Sequence, residues 1–141
     1  MRLYLDTSAL VKVYITETGS EMVEDLVARC ERISISMVGY AEARAAFARR
    51  LRSRDLTEVA YRGCLDQLDR DWKDLDRVLV NEPLVHIAGH LATRHGLRGF
   101  DAIHLASAIS AQRKDGDDLV FVSFDRDLAI AAEAEGLALA R

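Results

Sequence analysis

The sequence predicts an α/β fold in which a central parallel sheet is covered by helices on both faces. Short apolar, β-branched runs alternate along the chain with longer stretches whose apolar residues recur at 3.6-residue spacing. The short runs lack a clean inside–outside pattern, as expected of strands buried on both sides. The chain has 141 residues, half of them hydrophobic, with one proline and eight glycines, so residues 1–141 read as a single domain. A chain of this size buries roughly two-thirds of its unfolded surface and needs no disulfide or structural metal to fold.

The first strand is 3–5, which ends in Asp6-Thr7-Ser8, a turn leading into a helix. Helical spacing resumes over 20–30. A second strand, 33–36, leads into a helix over 37–52, with Ser36 as its expected N-cap. A further helix covers 56–72, a weaker strand 76–80, and helices 83–95 and 101–113 follow. The strand at 119–123, a helix over 125–135 and a terminal strand at 137–140 complete the pattern; 96–99 and 114–118 read as turns. Cys30 and Cys64 lack the CxxC spacing of a zinc or redox site and read as core residues. The apolar N-terminal run is interrupted by Asp6 too early for a signal peptide, and no stretch reaches membrane-spanning length. A cytoplasmic protein with no membrane partner is expected.

Nineteen basic against 23 acidic residues give a net charge of −4, which argues against whole-surface binding to nucleic acid and leaves a local basic patch open. The acids are more informative. In open parallel sheets the functional crevice lies beyond the carboxyl ends of the strands, where Asp6 directly ends the first strand and Asp125 follows the fourth. Both also suit turn or helix-cap roles. Glu42 shares a helical stripe with Val38 and Ala45, an odd place for a charge unless it is paired, with Arg49 as one partner, or metal-bound. Asp101 shares a face with Leu105 and Ala108 in a helix apolar almost all round; a first-turn acid on the helix dipole is the plainer reading.

Two carboxylates about 4 Å apart repel by around 4 kcal/mol at an effective dielectric near 20. A cluster of four therefore calls for a hard divalent cation, Mg²⁺ or Mn²⁺, which binds oxygen ligands and leaves room for water and phosphate. Metal-assisted phosphodiester hydrolysis is the chemistry that follows.

The segments Leu3-Tyr4-Leu5-Asp6-Thr7-Ser8-Ala9-Leu10, Glu42, Phe100-Asp101-Ala102-Ile103-His104-Leu105-Ala106 and Val122-Ser123-Phe124-Asp125-Arg126-Asp127-Leu128 resemble the four acidic motifs of PIN-domain nucleases. Length and layout are similar to VapC-type toxins of toxin–antitoxin pairs. The resemblance covers essentially the whole chain and implies a Rossmann-like three-layer α/β/α sandwich, Mg²⁺- or Mn²⁺-dependent endoribonuclease activity, homodimers, and a small VapB-like antitoxin partner. It assigns Asp6, Glu42, Asp101 and Asp125 as catalytic and metal-binding acids, with Asp127 able to share or replace the role of Asp125. Thr7, Ser8, Ser123 and His104 are then candidates for support around the acids.

Arg44, Arg49, Arg50, Arg52 and Arg54, with no acid among them, form the best RNA-backbone patch in the sequence; a solvated helix end is the plainer reading. Arg98 and Lys12 are lesser candidates. His86 and His90, spaced i, i+4, have no third ligand nearby and read as a surface pair. A haloacid-dehalogenase-like phosphohydrolase would want a second Asp where Ser8 stands. The remaining alternative is a non-catalytic interaction module on the same fold.

Overall fold

The computed structural model describes residues 1–116 and 118–140. Strands β1 (Arg2–Leu5), β2 (Arg32–Ser36), β3 (Asp76–Val78), β4 (Leu119–Val122) and β5 (Ala138–Leu139) form one sheet in the order β3-β2-β1-β4-β5. Every neighbouring pair is parallel. The helices are α1 (Thr7–Tyr14), α2 (Ser20–Arg29), α3 (Val38–Arg52), α4 (Glu58–Trp72), α5 (Glu82–His95), α6 (Gly99–Asp115) and α7 (Arg126–Ala134).

The pleat of β1 sets the layers. Leu3 and Leu5 point to one face and pack with Ile35, Val122 and the inner side chains of α1 to α4, such as Leu10, Val23, Phe47 and Leu68. Tyr4 points to the other face, among Phe121, Leu84, Leu105 and Leu128 of β4 and α5 to α7. The result is the three-layer α/β/α sandwich with both sheet faces buried. No helix among the described residues is long and apolar enough to cross a membrane.

The expected strands at 76–80 and 137–140 shorten to three and two residues. Both are edge strands, paired on one side only. Helix α6 starts two residues earlier than the apolar pattern suggests, with Arg98 as an extended N-cap, and continues to Asp115. That absorbs part of both expected turns; the second falls partly on residue 117, outside the described residues. Ser36 is the fully buried last residue of β2 and Met37 takes the cap position of α3 without a side-chain hydrogen bond, but the Ser36 hydroxyl still accepts from the first amide of the helix, Val38 N–H, at 3.4 Å.

Helix α3 buries Gly39, Ala43 and Phe47. Gly39 permits this close approach, because a Cβ there would stand 2.7 Å from Ile35 Cδ1 on β2. The chain steps from β1 outward to β2 and β3, then returns to the far side of β1 with β4 and β5. The carboxyl ends of β1 and β4 thus form the crevice where such sheets place their sites. Asp6 follows β1, Asp125 follows β4, Asp101 lies in the first turn of α6, and Glu42 lies in the second turn of α3.

Candidate functional site

Asp6 is the most constrained acid. It is the N-cap of α1, and its Oδ1 accepts from the Ala9 N–H at 2.9 Å and the Ser8 hydroxyl at 2.6 Å. Oδ2 accepts from the Ser123 hydroxyl at 2.5 Å. The serines are fixed in turn: Ser8 Oγ accepts from the Phe124 N–H at 2.9 Å, and Ser123 Oγ from the Asp125 N–H at 3.0 Å. One carboxylate therefore ties β1, α1 and the β4–α7 connection together. At 3% exposure, burial pushes its pKa above the ordinary carboxylate value, against the pull of Ser123, Ser8 and Ala9.

Glu42 corrects one sequence expectation. The apolar stripe that it was to share with Val38 and Ala45 is not the buried face: Ala45 is exposed, and Glu42 flanks the true core stripe with its side chain 29% exposed. Nor does it pair with Arg49. Its Oε1 accepts from the Thr7 hydroxyl at 2.7 Å and lies 2.7 Å from His104 Nε2. Burial raises the Glu42 pKa, but the hydrogen bonds from His104 and Thr7 outweigh it and hold the carboxyl below its usual value.

His104 is 2% exposed, with Nδ1 2.8 Å from the Tyr4 hydroxyl. Burial raises the Tyr4 pKa further, so the phenol keeps its proton and donates to Nδ1. Nε2 then carries the hydrogen that Glu42 accepts, a tautomer assigned from the partners. The chain Tyr4–His104–Glu42–Thr7 passes from the α5 to α7 layer to the α1 to α4 layer around the ends of the strands. Sequence reasoning found His104 and Thr7 but missed Tyr4. The signal was a phenol inside a four-residue strand, which needs a polar partner wherever it is buried.

The outer pair is held by Arg98. Its Nε donates to Asp101 Oδ2 at 3.1 Å, and its Nη2 lies 3.5 Å from Asp125 Oδ2. Asp101, Asp125 and Glu42 all favour the charged guanidinium, Asp101 most through its hydrogen bond, although the side chain is 83% exposed and water screens these pairs. Asp125 is also the N-cap of α7, accepting from the Leu128 N–H at 3.0 Å. The cap reading of Asp6 and Asp125 holds, and in each the cap bond uses one carboxylate oxygen while the other meets a side chain, Ser123 for Asp6 and Arg98 for Asp125. Asp127 is exposed and makes none of these bonds. Among the described residues, no three His, Cys, Asp or Glu side chains stand ready to hold a metal ion; the Arg98 guanidinium lies between Asp101 and Asp125.

The arginine patch is not brought to the acids. Arg49, Arg50 and Arg52 lie at the far end of α3, about 10–15 Å along the axis from Glu42. Arg50 pairs with Glu17 at 2.6 Å, and Arg44 donates to the Tyr40 hydroxyl at 3.1 Å. His86 sits on the surface beside Glu82.

Residues 3–134 match the PIN domain family. Ribonuclease VapC45 and Ribonuclease VapC49, from two strains of Mycobacterium tuberculosis, are each 41% identical over 143 residues, spanning 98% of this chain and 94% of their own. Two solved structures share the fold at 18% identity. They are Mycobacterium tuberculosis VapC20, described as a toxin cleaving the sarcin–ricin loop (TM-score 0.70, 96% of each chain), and FitAcB from Neisseria gonorrhoeae (TM-score 0.68, 99% of this chain and 96% of that one). A third, VapBC2 from Rickettsia felis, was solved bound to a DNA fragment from its promoter (TM-score 0.65, 16% identity, 99% and 97%).

The opposite displacements of Asp6 and Glu42 set opposite pH slopes in metal-free buffer. A raised native pKa costs stability as pH climbs from the ordinary carboxylate value through the raised one; a lowered native pKa gives stability that is lost as pH falls through the lowered one. In urea unfolding across the acid range, the advantage of wild type over Glu42→Gln should grow with rising pH. Relative to Asp6→Asn it should shrink, leaving the Asn variant at least as stable at neutral pH. Parallel slopes for the two variants would contradict the assignment.

Proposed function

The chain belongs to the PIN-domain family, among the VapC ribonucleases, and on that premise we propose that residues 1–141 form a single metal-dependent endoribonuclease unit, the toxin of a VapBC-type pair. The observation that carries the reading is the arrival of Asp6, Glu42, Asp101 and Asp125 at one end of the sheet, with the Arg98 guanidinium bound between two of them, Asp101 and Asp125. All four are hard oxygen donors suited to Mg²⁺ or Mn²⁺, so they are the residues that would hold the ion, once Arg98 yields its place. The chemistry that such an ion would supply is Lewis acidity toward the phosphate and a bound water of lowered pKa, suited to a hydrolysis with 5′-phosphate and 3′-hydroxyl products.

The chain's own residues prepare that chemistry. Ser8 and Ser123 fix the direction of the Asp6 carboxylate, and Thr7 and His104 fix that of Glu42. Such supporting bonds matter because ligand orientation sets metal affinity. Arg98 is exposed at the rim, where a guanidinium suits a phosphate oxygen.

RNA is the proposed substrate and the cytoplasm the proposed location. A small VapB-like antitoxin is the proposed partner, supported by likeness to chains solved as a toxin–antitoxin complex from Klebsiella pneumoniae (TM-score 0.65, 16% identity, 90% of each chain). A second copy is the other proposed partner, supported by the exposed apolar Leu79 and Ile87 in an open cleft of about 780 Å³ beside edge strand β3.

Incubation of the purified protein with total RNA should give cleavage with Mg²⁺ or Mn²⁺, new 5′-phosphate ends, and a loss of more than about 100-fold in Asp101→Asn, beyond the cost of losing a supporting bond. Cleavage that survives excess chelator, or survives that substitution, would overturn the mechanism. The exposed arginines at the end of α3 are proposed as a separate docking point for the RNA backbone. Arg49→Glu with Arg52→Glu should flatten the salt dependence of RNA binding by about 0.7 in log–log slope for each phosphate that is no longer neutralised. An unchanged slope removes the patch.

A further inference from the structure

Phe124 lies between Ser123 and Asp125, and its ring takes no part in the hydrogen-bond network that holds the acids. We propose that this ring is a stacking platform for the base of a nucleotide next to the phosphate that is cut; the inference rests on the ribonuclease reading and adds a substrate contact to it.

The ring is fixed. Its backbone N–H donates to Ser8 Oγ, the same hydroxyl that donates to Asp6, so its position is coupled to the most buried acid of the site. Its edge fills the space over Gly19, where a Cβ would stand 2.6 Å from Phe124 Cε1 and 2.9 Å from Cζ. Gly19 also has φ +96°, a conformation that side chains disfavour, so local backbone and ring packing both call for glycine. Over the ring, Lys12 Nζ stands 4.6 Å from the centroid. That ammonium is held in turn by Glu17 at 2.9 Å, whose other oxygen binds Arg50.

The ring is nevertheless 40% exposed. Single exposed apolar residues are ordinary on protein surfaces. An aromatic side chain held by a backbone hydrogen bond, a glycine niche and a cation, and still left in water beside a carboxylate site, is not. Stacking explains the arrangement: every base has a π face, so an anchored ring accepts single-stranded RNA without demanding a sequence. Binding of a base would also complete the burial that folding leaves unfinished.

The test uses a short single-stranded RNA containing a mapped cut site. Phe124→Leu should raise KM about 5- to 150-fold, the range that corresponds to a base–aromatic stack of about 1–3 kcal/mol, with a smaller change in kcat. Equilibrium binding of the labelled RNA, followed by anisotropy with Ca²⁺ in place of the catalytic ion, should weaken by a similar factor. Phe124→Trp should restore both. An RNA lacking the one base beside the cut should bind wild type and Phe124→Leu alike. Unchanged RNA affinity in a Phe124→Leu protein whose wild type cuts RNA overturns the platform, and is the result expected if the ring faces a protein partner instead. Failure of Trp to restore binding in a protein with wild-type unfolding also overturns it. A wild type that neither binds nor cuts RNA overturns the ribonuclease reading, and this inference with it.

Discussion

The Asp6 carboxylate is the point on which the site depends. It is almost wholly buried at the end of the central strand, where an unpaired charge costs several kcal/mol. Three donors from two segments compensate, and the core on which β1 and α1 are built, Leu3, Leu5 and Leu10 among its side chains, contributes about 1.5–3 kcal/mol for each large buried residue. The compensation is also a positioning device. The hydroxyls that satisfy Asp6 are the ones that hold Phe124 and Asp125, so the start of α1 and the entrance to α7 are registered on the same carboxylate.

Glu42 is anchored by a different route. Its partners come from α1 and from α6 across the sheet, and they hold its pKa below the usual value against the upward push of burial. The site thus joins one acid that resists ionisation to another that favours it. Arg98 balances the two outer acids, Asp101 and Asp125, from the rim. Like charges gathered at one end of a sheet are tolerated because each finds its own counterpart: hydroxyls, an imidazole or a guanidinium.

Much of this was legible in the sequence because it follows from strand ends. An Asp after an apolar run, or at the start of a helix, occupies the crevice by topology alone, which is why Asp6, Asp101 and Asp125 were found. The surroundings of Glu42 were not legible. Helical spacing offers two neighbouring stripes on α3, and Gly39, which has no side chain to register in a hydrophobic pattern, marks the one that packs on β2. The Tyr4–His104 bond joins residues a hundred positions apart and leaves no local trace. The arginines read as a patch from their density, but the helix carries them away from the acids, and Glu17, distant in sequence, takes one of them. Arg98 looked like a minor surface cation because its two partners meet only in the fold.

Whether the four acids form a divalent-cation site is tested most directly, and without recourse to activity, by calorimetric titration of the chelator-treated protein with Mn²⁺. Saturable binding to wild type, abolished or weakened more than about tenfold in Asp6→Asn and in Asp125→Asn, is the predicted result. No saturable binding to wild type, or binding indifferent to both substitutions, would contradict it.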